Sequence, residues 1–127
     1  MERVERQGHS LRPEDLPGRD IVHWDLHPGN LLQVDGRVSA IVDLDFAKVG
    51  DADFDLVTLA VASLATEVEP GVRRRLFATI DERPDEPRRS AYVGHLLVRN
   101  LDWPIRKGRS EEVELWIAQA DRLLDGG

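Results

Sequence analysis

Two acids and an amide stand at intervals that suit metal-assisted phosphoryl chemistry. Asp25 and Asn30 flank the turn signal Pro28-Gly29. The loop between them can therefore fold back and aim both side chains at one point. Asp43 stands near the end of an apolar run, Val38 to Leu44. That run is joined to Leu31–Val34 by Asp35-Gly36, a strong two-residue hairpin turn because such turns need positive φ at both positions. The hairpin returns Asp43 toward Leu31, beside Asn30. One carboxylate, one carboxamide oxygen and a second carboxylate converge. Phosphoryl transfer uses such a set: a carboxylate that accepts or orients the attacking hydroxyl, and hard oxygen donors for Mg²⁺. An isolated Asp in a Pro-Gly loop is ordinarily just a turn former, so the combination carries the inference.

At these residues the chain resembles a known family. IVHWDLHPGNLL, residues 21–32, looks like the catalytic loop of aminoglycoside phosphotransferases, within the protein-kinase-like fold. AIVDLDFAKVGDADFDL, residues 40–56, looks like the metal-binding segment that follows it. The resemblance is strong over residues 20–68 and weaker to about 106, through RNLDWPIRKG. It implies that Asp25 is the catalytic base and that His27 sits near the transferred phosphate. It implies that Asn30 and Asp43 hold Mg²⁺ against the phosphates of ATP or GTP. Asp45 then either touches a second metal or is a solvated loop acid. His23 is implied to be structural, and Asp55 to cap or anchor the helix behind the loop. The implied acceptor is a hydroxyl of a small molecule, aminoglycoside-like or choline-like. Trp24 departs from the pattern, standing where most of the family has glycine.

The elements that must position these groups can be read from the same rows. Residues 20–23 form a short strand, 31–34 and 38–44 a hairpin, and 45–53 a polar loop. Phe54 to Val68 is apolar on nearly every face, which predicts a helix buried all round. Pro70-Gly71 should end it. Further helices are expected over 72–80, over 90–107 with an interruption near Pro104, and over 110–124. In the last, Ser110 is a natural N-cap, and Val113, Trp116, Ile117, Ala120, Leu123 and Leu124 make one apolar stripe. Trp103 and Trp116 read as core residues, and His9 and His95 as ordinary surface or helix residues. The expected class is α+β, mostly helical: the C-terminal lobe of a protein-kinase-like fold, with a small β-hairpin carrying the catalytic and metal loops. Residues 1–19 read as a lead-in and 20–127 as a single domain. The N-terminal lobe, with its Gly-rich phosphate loop and Lys–Glu pair, is expected to be missing, since no G-x-G-x-x-G or V-A-I-K precedes the loop.

Composition narrows the alternatives. The 127 residues contain no cysteine, which removes disulfides, thiolate metal sites and a cysteine nucleophile. The formal net charge of −7 argues against nucleic acid as a partner. No apolar run approaches the roughly 18–20 residues of a membrane span, and the charged start of the chain lacks a signal-peptide core. A cytoplasmic location is the default. The acids at 51, 53, 55, 81, 82, 85 and 86 read either as the lining of an acidic acceptor pocket or as solvated surface. Two other functions compete with the phosphotransferase. One is a truncated, inactive kinase-like module that acts as a homodimer or with a partner chain supplying the missing lobe. The other takes His23-Trp24-Asp25-Leu26-His27 as a His-x-Asp-x-His site for a transition metal such as Zn²⁺, which wants several nitrogen ligands.

Overall fold

Short strands and proline-punctuated helices define the architecture, seen in a computed structural model that describes residues 16–125. The expected lead-in over 1–19 lies outside the described residues as far as position 15, and so does His9. The described residues fall into two compact units, 16–84 and 85–125.

The first unit holds four strands: β1 (Asp20–Val22), β2 (Leu31–Val34), β3 (Arg37–Ile41) and β4 (Lys48–Gly50). β2 and β3 form the expected antiparallel hairpin, from Leu31 opposite Ile41 to Val34 opposite Arg37. Asp35 and Gly36 turn it with φ of +52° and +76°, the left-handed pair a tight hairpin requires. The returning strand stops at Ile41 rather than Leu44. β4 was not foreseen. It pairs antiparallel with β1, Val22 opposite Lys48 and Asp20 opposite Gly50, where a polar loop was expected. A strand of three residues carries no measurable alternation, so its pairing is visible only in three dimensions.

α1 (Asp53–Ala62) follows β4 and continues as a 3-10 turn, Ser63–Ala65. Phe54, Val57, Thr58, Ala60 and Val61 are buried, and no residue of α1 is exposed. The helix ends earlier than its apolar run because Arg73 closes it off. The Arg73 guanidinium donates to the carbonyl oxygen of Ser63 at 2.7 and 3.1 Å and to that of Thr66 at 3.2 Å. Carbonyls left unpaired at a helix C-terminus are satisfied in this way, and a cation there suits the helix dipole. Pro70 does not merely stop α1; it opens α2 (Pro70–Glu82), because a proline at the first helical position loses no hydrogen bond. α2 packs on α1.

The second unit is a pair of packed helices, α3 (Glu86–Arg106) and α4 (Ser110–Asp125). α3 begins four residues before expectation. The Asp85 carboxylate caps it, accepting from the Arg88 amide at 3.0 Å and from Arg88 Nε at 2.9 Å. Pro104 lies inside α3 and does not interrupt it. It falls in the last turn, where Lys107 N–H still reaches Trp103 O at 3.0 Å, so only the Asn100 carbonyl loses its amide partner. Gly108, at φ +67°, then reverses the chain and Arg109 N–H bonds back to Pro104 O at 2.8 Å. Trp116 is buried as expected. Trp103 is not core: it is 48% exposed, with the Arg109 guanidinium 4.5 Å from its ring centre. Among the described residues no helix is long and apolar enough to cross a membrane.

Bonding to Arg88 holds the Asp85 carboxyl below its ordinary value of 3.8, the backbone amide first and the guanidinium second. A carboxylate with a lowered folded pKa stabilises fully above its unfolded value and loses that contribution as pH falls through the folded one. Asp85→Ala should therefore lower the thermal midpoint at neutral pH. The gap from wild type should close only below pH 3.8, in calorimetric scans across an acid series.

Candidate active site

The β1–β4 pair ends at Val22, and the loop that follows is built almost wholly from hydrogen bonds to its own ends. His23 is buried and both ring nitrogens are occupied. Nδ1 accepts the Asp25 amide at 3.2 Å, so Nε2 carries the proton and donates to Val42 O at 2.7 Å. The ring thus links the start of the loop to the segment that leads to Asp43. The structural reading of His23 agrees with this geometry.

Asp55 ties the loop from the other side. Its carboxylate accepts the His23 amide at 2.8 Å and the Trp24 amide at 3.0 Å, one on each oxygen. Sequence reasoning gave Asp55 an anchoring role, but on its own helix. The structure turns the direction round: a residue of α1 anchors the loop. Trp24 pays for this with a left-handed backbone, φ +78°, a conformation costing a bulky L-residue about 1–2 kcal/mol. Its indole stacks on Phe54, ring centres 4.5 Å apart and planes 18° from parallel, and Lys48 Nζ lies 3.7 Å from the ring centre. Positive φ also explains a glycine preference at this position. Lys48 was not singled out from sequence, because its role depends on β4.

Beyond Trp24 the loop makes a 3-10 turn, Pro28–Asn30, capped by His27. His27 Nδ1 accepts the Gly29 amide at 3.0 Å. A Cβ at position 29 would meet the imidazole at 2.8 Å, so any other residue there displaces the His27 ring. His27 Nε2 lies 3.2 Å from Asn30 Nδ2 and 3.8 Å from Asp25 Oδ2. Asp25 and His27 side chains are 37% and 42% exposed. Asn30 is buried, and its Nδ2 donates to the Asp25 carbonyl at 2.9 Å. That bond fixes the amide so that Oδ1 is the atom left for a ligand. The Asn30 carbonyl accepts the Val42 amide at 2.9 Å, which sets Asp43 one residue beyond a bond to Asn30.

Asn30 therefore touches both the Asp25 carbonyl and the His27 ring, and Asp43 adjoins it through the backbone. Asp43 is exposed and has φ +63°, a second strained non-glycine residue beside the same loop. Asp45 is exposed within the turn closed by the Ala47 amide on Leu44 O at 3.0 Å. Among the described residues no three His, Asp or Glu side chains gather to hold a metal by themselves. That, with both His23 nitrogens occupied, overturns the His-x-Asp-x-His reading. The acidic acceptor pocket also loses three of its candidates. Asp51 accepts the Asp53 amide at 3.0 Å, Asp53 pairs with Arg83 at 3.0 Å, and Asp55 holds the loop.

This arrangement can be set beside known proteins. The model of the phosphotransferase enzyme family matches residues 1–92. The chain belongs to that family. Over 59 residues the chain is 42% identical to a homoserine kinase of Methylocella silvestris, covering 46% of this chain and 17% of that kinase. Its fold is similar to the crystal structure of a thermostable mutant of aminoglycoside phosphotransferase APH(4)-Ia in the apo form. The TM-score is 0.71 at 21% identity, over 99% of this chain and 43% of that one. The chain thus spans less than half the length of either relative.

Replacing Asp55 by Ala leaves two loop amides without their charged acceptor. The expected loss is about 2–3 kcal/mol of unfolding free energy, read as a lower midpoint in urea with an unchanged slope.

Proposed function

We propose that residues 20–55 form the phosphoryl-transfer site of a small-molecule kinase, with Asp25 as the base and Asn30 and Asp43 as Mg²⁺ ligands. The observation that carries this is the joining of Asp25, His27 and Asn30 in one loop, with Asp43 held next to Asn30 by the Val42 amide. Family membership supports this reaction class, and the geometry supports the assignment of roles.

Asp25 accepts the proton of the acceptor hydroxyl. The freed oxygen forms a bond to the terminal phosphorus of ATP or GTP as the bond to the leaving diphosphate breaks. His27 lies beside the Asp25 carboxylate, its Nε2 3.8 Å from Oδ2. The donor set fits Mg²⁺: one carboxamide oxygen and one carboxylate are hard oxygen ligands, and Mg²⁺ keeps several waters of its own. Bound there, the ion supplies charge neutralisation at the phosphates. Asp45 is a loop acid in this reading, with a second metal as its only catalytic use. The names of the two relatives suggest the acceptor class. Aminoglycosides and homoserine both carry hydroxyl and ammonium groups, so the acceptor is a small cationic or zwitterionic alcohol.

A second reading has its own support. Ile21, Leu32, Val34, Val38, Ile41, Leu44, Phe46 and Val49 are all exposed around the strands of the first unit. An apolar surface of this kind marks a place where another protein surface sits. The chain would then act as a module that a second copy or a partner chain completes. Light scattering across a concentration series separates the readings: a rise in mass favours the module, and a constant monomer mass counts against it.

Two outcomes test the catalytic assignment. Calorimetry of the chain with Mg·ATP should show binding that disappears in Asp43→Ala; binding that survives the substitution removes Asp43 from the metal site. Asp25→Ala should lower the phosphotransfer rate by about 10²–10⁴-fold, the usual contribution of a general base, with nucleotide binding retained.

A further inference from the structure

The loop that carries Asp25 turns at a residue whose backbone is unfavourable and whose side chain is unusually well held. Trp24 has φ +78°. Nothing about a left-handed turn calls for an indole, since glycine adopts that conformation without strain. Three separate contacts keep the tryptophan there. Its ring stacks on Phe54 of α1 at 4.5 Å. Lys48 of β4 places its ammonium 3.7 Å from the ring centre. Its amide is bonded to Asp55 at 3.0 Å. The contacts come from two different elements: Lys48 pairs opposite Val22 in the β1–β4 ladder, and Phe54 is fully buried at the start of α1.

We infer that Trp24 is a positioning residue: its indole, held by Lys48 and Phe54, locks the turn into Asp25 and so sets the direction in which the following carboxylate points. Aromatic stacking and a cation over the ring face are each favourable beyond area burial. Together they oppose the tendency of a strained residue to relax into the ordinary β or α regions. Relaxation at Trp24 would swing Asp25 away from His27 and weaken the Asn30 bond to the Asp25 carbonyl. The locking itself is a statement about this loop's geometry. Only its catalytic consequence rests on the assignment of Asp25 as the base.

Hydrogen exchange on the full chain reads the locking directly. The reporters are the amides of Asp25, Asn30 and Val42, which bond to His23 Nδ1, His27 O and Asn30 O. The variants are Trp24→Ala, which keeps the strain and removes the ring, Lys48→Met and Trp24→Phe. In Trp24→Ala these amides should exchange roughly tenfold faster or more, and Lys48→Met should move the same amides in the same direction. Amides inside α1 and α3 should be unaffected. Trp24→Phe keeps a ring for both contacts and should return the reporters close to wild type. Unchanged reporters in Trp24→Ala overturn the inference. A uniform acceleration through α1 and α3 also overturns it, because Trp24 would then be ordinary packing. If Trp24→Ala does not fold, the reporters in Lys48→Met decide by the same criteria. Mg·ATP binding to the wild-type chain is scored separately. Its absence would remove the catalytic reading while leaving the exchange result to stand or fall alone.

Discussion

One carboxylate receiving two consecutive amides organises the first unit. Asp55 sits in the first turn of α1 and bonds the His23 and Trp24 amides. Backbone donors bonded to an ionised acceptor make short, strong hydrogen bonds. Because α1 is buried along its length, the carboxylate is a fixed point and the loop must conform to it. The His23 ring then extends the constraint across to Val42, and the Val42 amide returns it to Asn30. The loop, the hairpin and the helix are joined by a circuit of polar bonds. Phe54, fully buried, adds an apolar contact by stacking on Trp24.

The site was legible in the sequence where residue type and spacing leave few choices. The Pro28-Gly29 turn and the Asp35-Gly36 hairpin stand where expected; the first bonds Asn30 Nδ2 to the Asp25 carbonyl and the second leads to the Val42–Asn30 backbone bond beside Asp43. The buried character of α1 was equally plain, since an all-round apolar segment can only be enclosed. What was hidden depends on pairing between distant segments. β4 has three residues and no pattern, so Lys48 looked like any solvated lysine. The left-handed φ of Trp24 and Asp43 leaves no mark in residue type, except that a position favouring glycine hints at it. Helix ends were displaced where a remote side chain decided them. Arg73 shortened α1, and Asp85 drew α3 back to Glu86.

The acids of residues 51–55 show how charge in a row can mislead. Read along the sequence they suggest a surface or a pocket for cations. In the fold each has a different duty: Asp51 receives the amide that begins α1, Asp53 meets Arg83, and Asp55 holds the loop. Three neighbouring carboxylates would repel one another. Giving each a separate donor offsets that repulsion and spends the charge on geometry. The hairpin has no such arrangement. Its apolar side chains face outward on a two-stranded ribbon, a size of sheet that is marginal by itself. The rigid and the exposed parts of the first unit therefore meet at Asn30 and Val42, where the hairpin joins the loop.

The circuit that begins at Asp55 has a consequence for how the site comes into being. Its longest tie, from His23 to Asp55, spans 32 positions, and every other group lies between them. Chain entropy lost on closing a loop grows only as the logarithm of its length, so segments this near along the chain meet at little cost. Local contacts also form quickly. The geometry of the loop and hairpin is thus a product of a single contiguous stretch, able to assemble before more distant parts of the polypeptide have found their places.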